Sequence, residues 1–175
     1  MEPYPSRYEA WVTLRDETKV FLRPVKTTDG LLLLELLKKL SPSSVYLRFL
    51  SSMPDLPENL LFRFTHVDYK RDFGLVALSN VEDSSAIIGV GRYAYNLERE
   101  RPELAVVVRD DWQGKGLGSI LLMKVINIGR ENGFSCFEAT IDPENQIILN
   151  IFKRSGYDYK VYHREQGVYH IEIRT

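Results

Sequence analysis

The chain has 175 residues, 44% apolar and 27% charged, which predicts one globular domain over 1–175 with a core of its own. Its formal net charge of −1 removes the electrostatic case for binding nucleic acid. The one cysteine, Cys136, excludes a disulfide framework and a thiolate metal cluster, and the most apolar run, LLLLELLKKL at 31–40, is broken by Glu35 and two lysines and falls far short of the ~20 residues a membrane span demands.

The opening MEPYPSRYEAW carries prolines and acids where a secretory signal has a basic and then an apolar segment, so a reducing, cytoplasmic setting is expected. EAWVTL and KVFLRPV read as strands joined by the turn RDET, and Thr27, Thr28 or Asp29 can cap a helix running to about Leu40. PSSVYLRFL and PENLLFRFTHV open on prolines beside capping serines or acids and space apolar residues three and four apart, which predicts two short helices up to about residue 66. FGLVALSN (73–80), the turn VEDSS and AIIGVGRYAYN (86–96) predict a hairpin. ELAVVVRD is apolar through its centre, the pattern of a mid-sheet strand covered on both faces. A helix from about 117 to 132 ends at Gly133, the strand SCFEATI follows, a helix from about 144 to 154 ends at Gly156, and YDYKVYH and GVYHIEIR are two final strands. Cys136 in SCFEATI is expected as a buried strand residue, since a nucleophile would need a nearby base.

The most informative stretch is VVVRDDWQGKGLGSILLMKVI, 106–126, which passes from a buried strand through a glycine-punctuated turn into a helix. At such a junction several backbone N–H groups lack an intrahelical partner, and glycines both aim successive amides at one point and let an anion approach without meeting a Cβ. Lys115 adds charge, so the turn has the chemistry of a phosphate cradle. The nucleotide P-loop needs Gly-Lys-Ser/Thr, whereas here Gly118 is followed directly by Ser119. A dinucleotide fingerprint wants an acid ~20 residues on, at the close of a second parallel strand; Glu138 has that offset but lies mid-strand.

The spacing Gln-x-x-Gly-x-Gly between a strand and a long helix, late in the chain, closely resembles the acetyl-CoA loop of the Gcn5-related N-acetyltransferases (GNAT), and the resemblance covers almost the whole sequence. PENQIILNIFKRSGY, 143–157, is similar to the family's second signature, an asparagine opening a helix that ends in glycine and an aromatic. The resemblance implies an α/β (α+β) fold with a mixed central sheet of about seven strands, helices on both faces and a splayed strand pair holding acetyl-CoA. It places the coenzyme pyrophosphate on the amides of Gln113, Gly114, Lys115, Gly116, Leu117 and Gly118, with Ser119 close behind. It pairs the pantetheine arm with the backbone of Val106, Val107 and Val108, and sets Asn145 beside the cofactor. One position departs from the pattern: the family often has a tyrosine seven residues after that asparagine to protonate the departing thiolate, and this chain has Phe152, which cannot donate a proton.

The amine acceptor needs a base, because an alkylammonium with a pKa of ~10.4 leaves about one molecule in a thousand as nucleophile near neutrality. Glu103 opens ELAVVV and shares a face with Ala105 and Val107, where apolar neighbours suit a carboxylate to general-base work directly or through a water. The resemblance supports this role, since a subset of the family's protein-directed members has a glutamate at the matching position. The plainer alternative is a solvated residue at the strand start balancing Arg99 or Arg101. His66 is expected to cap a helix or lie at the surface, His163 and His170 lack the partners of a catalytic triad, and no His and carboxylate cluster has metal-ligand spacing, so no metal is proposed.

The N-terminal half, especially LSPSSVYLRF, resembles the acetyltransferase domain of bacterial Pat-type protein lysine acetyltransferases. This implies acetyl transfer to a protein lysine, for example of an acyl-CoA synthetase. Relatives commonly carry a regulatory domain, for which 175 residues leave no room. Two other expectations stand beside it: acetylation of a small amine in the same fold, and a silent acyl-CoA-binding module that senses cofactor or binds a partner.

Overall fold

The computed structural model describes residues 3–53, 55–81, 84–163 and 167–175. Eight strands form one sheet in the order β1-β2-β3-β4-β5-β6-β8-β7. They are β1 Ala10–Thr13, β2 Lys19–Pro24, β3 Asp72–Val81, β4 Ser84–Asn96, β5 Arg101–Val108, β6 Cys136–Ile141, β7 Asp158–His163 and β8 Tyr169–Arg174. The expectation of about seven strands thus becomes eight, because both terminal strands join the sheet and β8 inserts between β6 and β7. The hairpin expected at 73–96 is present and longer, with Val81 paired to Ser84; the centre of its turn, 82–83, lies outside the described residues.

The first five strands are an antiparallel meander, and β6 lies parallel to β5. Alternation sorts each strand between two cores. Leu104, Val106 and Val108 of β5 face the larger cluster, with Leu117, Leu121, Val125 and Ile126 of α4 (Leu117–Glu131) and Phe152 of α5 (Gln146–Ser155). Val107, on the opposite face, joins a second cluster built on Leu33 and Leu36 of α1 (Gly30–Lys38), with partly buried Val45 of α2 (Pro42–Phe49) and Leu61 and Phe64 of α3 (Glu58–Thr65). Helices therefore lie on both faces. The i, i+4 spacing of α4 is what lets one helix fill the larger core from Leu117 to Val125.

The placement of the site depends on one irregularity. β5 and β6 pair at Glu103 and Glu138. A small cavity of about 40 Å³ opens between the two strands, lined by Ala105, Val106, Thr140, Ile141 and Phe152 among others. The backbone edge of β5 beyond the pairing point is thereby left to face the cavity and the cleft beside it.

Candidate active site

β5 ends at Val108, and Arg109 stays on the sheet by donating its N–H to the Ile88 carbonyl at 2.9 Å. A short 3-10 turn, Asp110–Trp112, then leads into the glycines. Gly116, with φ of 89°, is the residue before the first turn of α4, in a left-handed conformation that a β-branched residue resists. The first α4 amide to find a partner in its own helix is that of Ile120, on the Gly116 carbonyl at 3.1 Å, so the amides ahead of it point outward with the positive end of the helix dipole.

These amides border a cleft of about 440 Å³. Its wall brings together Val106, Val107, Val108, Gln113, Gly114, Gly116, Leu117, Gly118, Ser119 and Asn145. Lys115 is placed elsewhere: its Nζ pairs with Asp16 at 3.1 Å and lies over the Trp112 ring, 4.6 Å from the centroid. Gln113 contributes backbone to the loop while its side chain braces the scaffold, Nε2 donating to the Val108 carbonyl at 2.9 Å and to Ser44 Oγ at 3.2 Å. Asn145 caps α5, its Oδ1 accepting from the Ile148 amide at 3.3 Å.

Sequence reasoning missed several wall residues. Ser44, Leu47 and Arg48 line the cleft from α2, and their i, i+3, i+4 spacing on one face was the available signal. Arg15 reaches it from the β1–β2 turn, held there by its amide on the Lys115 carbonyl at 3.0 Å. Arg154 and Ser155 line it from the end of α5. Asp110, which carried no reading, fastens α2 to the cradle: it accepts from the Ser41 amide (2.9 Å), Ser41 Oγ (2.7 Å) and Ser44 Oγ (3.0 Å). Burial alone would raise the Asp110 carboxyl, but the donors of Ser41 and Ser44 outweigh it and hold the group below its ordinary value.

Glu103 lies outside the cleft wall, three residues before Val106 on β5, and shares a face with Ala105 and Val107. Neither arginine suggested as its partner takes it. Arg99 Nε lies 3.5 Å from Glu138, and Arg101 Nη1 lies 2.6 Å from Glu172. Glu103 has no hydrogen bond or ion pair among the described residues; the charges that feel it are Arg48 and Glu138. Glu138 is 2% exposed, and burial pushes its carboxyl up against the opposing pull of Arg99. His170 Nε2 is 3.3 Å from Glu138, and burial together with Arg99 and Arg101 holds the imidazole below its ordinary value. His66 is an exposed end cap of α3, stacked on Phe62 at 3.8 Å. The side chain of His163 lies outside the described residues. Cys136 is half-buried, and burial pushes its thiol up, away from the thiolate a nucleophile requires.

A strand-to-helix cradle beside an opened pair of parallel strands is matched by a family model described as the acetyltransferase (GNAT) family, over residues 38–157. The chain is a GNAT acetyltransferase. This GNAT chain is 30% identical to the GNAT domain of S. lividans PAT, whose crystal structure it covers over 99% of that chain and 98% of its own, with a TM-score of 0.89. It is 33% identical to an acetyltransferase of Pseudomonas aeruginosa, over 84% of this chain and 80% of that protein. It is 28% identical to the L-methionine sulfoximine/L-methionine sulfone acetyltransferase of the same species, over 59% of this chain and 63% of that protein. The cosubstrate of the family is acetyl-CoA, and the residues fit it: a Cβ built at Gly114 would meet nothing within 4 Å, so the cradle is open, and the amides and strand edge that would receive it border one cleft. Among the described residues no helix is long and apolar enough to cross a membrane.

Proposed function

We propose that this acetyltransferase moves an acetyl group from acetyl-CoA to a primary amine, with the side chain of a protein lysine as acceptor and Glu103 as general base. The observation that carries the reading is the place of Glu103, on β5 at the point where the strand pairs with β6, just ahead of the edge that borders the cleft. The amides of Gly114, Lys115, Gly116, Leu117 and Gly118 would hold the pyrophosphate, with Ser119 close behind and Gln113 beside them, its own amide donating to the Asp110 carbonyl at 3.3 Å, and the backbone of Val106, Val107 and Val108 the pantetheine, with Asn145 alongside. Acetyl-CoA supplies an acyl group activated as a thioester. Glu103 takes the proton that the ammonium must lose before its nitrogen becomes a nucleophile. No side-chain acid is required at Phe152, which is 1% exposed within the larger core, because a thiol with an ordinary pKa of ~8.5 leaves tolerably as the anion.

The likeness to the S. lividans PAT domain along nearly the full length of both chains supports the protein acceptor. A small amino acid is a second reading, favoured by the relative named for L-methionine sulfoximine and L-methionine sulfone. The test is to incubate the pure chain with acetyl-CoA and a cell lysate, then map new acetyl groups by mass spectrometry on proteins and on the small-molecule fraction, with Glu103→Gln in parallel. Acetyl-lysines that depend on Glu103 support the first reading; acetylated metabolites alone move the acceptor to the second; no turnover at all leaves only a binding module.

A further inference from the structure

Two arginines near the reacting region form no ion pair among the described residues. Arg92 of β4 stands in register between Gly74 of β3 and Ala105 of β5, whose small or absent side chains leave room for it. It is 7% exposed, and no hydrogen bond or ion pair reaches its guanidinium among the described residues. Its close contact is the face of Phe64, 4.1 Å from the guanidinium carbon to the ring centroid. Arg48, from α2, approaches the same ring at 5.7 Å and the Phe49 ring at 4.8 Å, also with no hydrogen bond or ion pair. Both line a chamber of about 30 Å³ together with Phe49, Phe64, Val90 and Val107. Arg48 belongs at the same time to the wall of the acetyl-CoA cleft and to the cavity between β5 and β6. The chamber, the cleft and the cavity between β5 and β6 therefore meet at one side chain, which also feels the charge of Glu103.

Arg92 is nearly withdrawn from water without an ion pair, an arrangement that works against folding, whereas Arg48 is half-buried. Burial pushes Arg92 down to about 9, with Arg48 adding to the fall, and pushes Arg48 down to about 10. Arg63 adds a further positive charge toward Arg92, while Asp72 and Glu103 act on the two arginines only at a distance. Two guanidinium forks on one small chamber can share a single small anion, and a carboxylate has that geometry.

We propose that Arg48 and Arg92 form a subsite for a carboxylate carried by the amine acceptor, with the amine turned toward Glu103. The subsite rests on the acetyl-transfer reading and deepens it. Arg92 stands level with Ala105, two residues along β5 from Glu103, a span of ~7 Å that one amino acid covers. The carboxylate is the α-carboxylate of a free amino acid, or the side chain of an acidic residue next to a target lysine.

Two matched pairs of acceptors separate these sources: L-methionine sulfone against its α-carboxamide, and a lysine peptide flanked by aspartate against the same peptide with asparagine. The acid member of one pair is expected to be preferred by at least about tenfold in kcat/KM, through KM, and the preference is expected to fall below about twofold in both Arg48→Gln and Arg92→Gln. A ratio of two acceptors on one preparation is insensitive to a general loss of active protein. If a variant does not fold, the wild-type ratios decide alone. If no acceptor turns over, calorimetry of the same pairs on protein loaded with coenzyme A takes their place. Parity of acid and neutral acceptors in both pairs, or a preference that survives both substitutions, overturns the subsite. Should Glu103→Gln keep full turnover while the acid preference stands, the base assignment fails and the carboxylate subsite survives.

Discussion

Glu103 of β5 stands opposite Glu138 of β6, where these two parallel strands pair. Glu138 is engaged by Arg99 and His170, and Glu103 has no such engagement among the described residues. Two carboxylates in one register row thus have different surroundings. Glu138 belongs to a buried polar network, whereas Glu103, in the proposed role, would receive the proton of the incoming ammonium. At pH near 7.5, Glu103→Gln is expected to lower turnover roughly 10²-fold while acetyl-CoA affinity by calorimetry stays near wild type. Raising the pH toward the ~10.4 of a lysine should recover part of the loss, because solvent then supplies the free amine. Wild-type rates from the variant at neutral pH would remove the base role.

The cradle offers two glycines with opposite predictions for the free protein. Gly116 has φ of 89°, and a Cβ there would lie 3.3 Å from Arg15 Nε, so Gly116→Val strains the turn itself. Gly118 has ordinary helical geometry, and its Cβ would meet only Val108 Cγ2 at 3.7 Å. Gly118→Ala should therefore hold or raise Tm, since alanine is better than glycine in a helix by up to ~1 kcal/mol. Gly116→Val is expected to weaken acetyl-CoA binding tenfold or more, about 1.4 kcal/mol. Any loss of affinity in Gly118→Ala then reports contact with the ligand. Unchanged affinity in both folded variants would remove the cradle assignment.

Asp110 ties the start of α2 to the cradle through Ser41 and Ser44. Its carboxyl sits below the ordinary value in the folded chain, so its contribution is present above the unfolded value of about 3.8 and is lost as pH falls through the lower, folded one. Asp110→Asn should cost about 1 kcal/mol in urea unfolding near pH 7, and its deficit should shrink once wild-type Asp110 is itself protonated. Equal deficits at both ends of the titration would show that charge is not what holds α2.

Phe152 packs in the larger core at 1% exposure. Phe152→Leu is expected to lower stability by about 1 kcal/mol and to leave the alkaline limb of the turnover profile in place, because the wild-type ring carries no proton to give. A displaced alkaline limb would mean that packing here sets the ionisation of a catalytic group.

Much of this chain was legible residue by residue. Alternation marked the strands, three- and four-residue spacing marked α2, α3 and α4, and Asn145 and Gly156 bracketed α5. The Gln-x-x-Gly-x-Gly turn was legible as a strand-to-helix junction because its requirement is local: left-handed torsions and unpaired amides are properties of a few consecutive residues. What local pattern could not supply were the meetings across distance. Asp110 finds Ser41 from 69 residues away, Arg48 and Arg92 converge on Phe64 from α2 and β4, and Lys115 turns to Asp16 instead of the cleft. These pairings follow from sheet order and helix packing, with β8 inserted between β6 and β7 and α2 laid over β5, and such arrangements are chosen by burial of the whole core, on which periodicity within any one element carries no information.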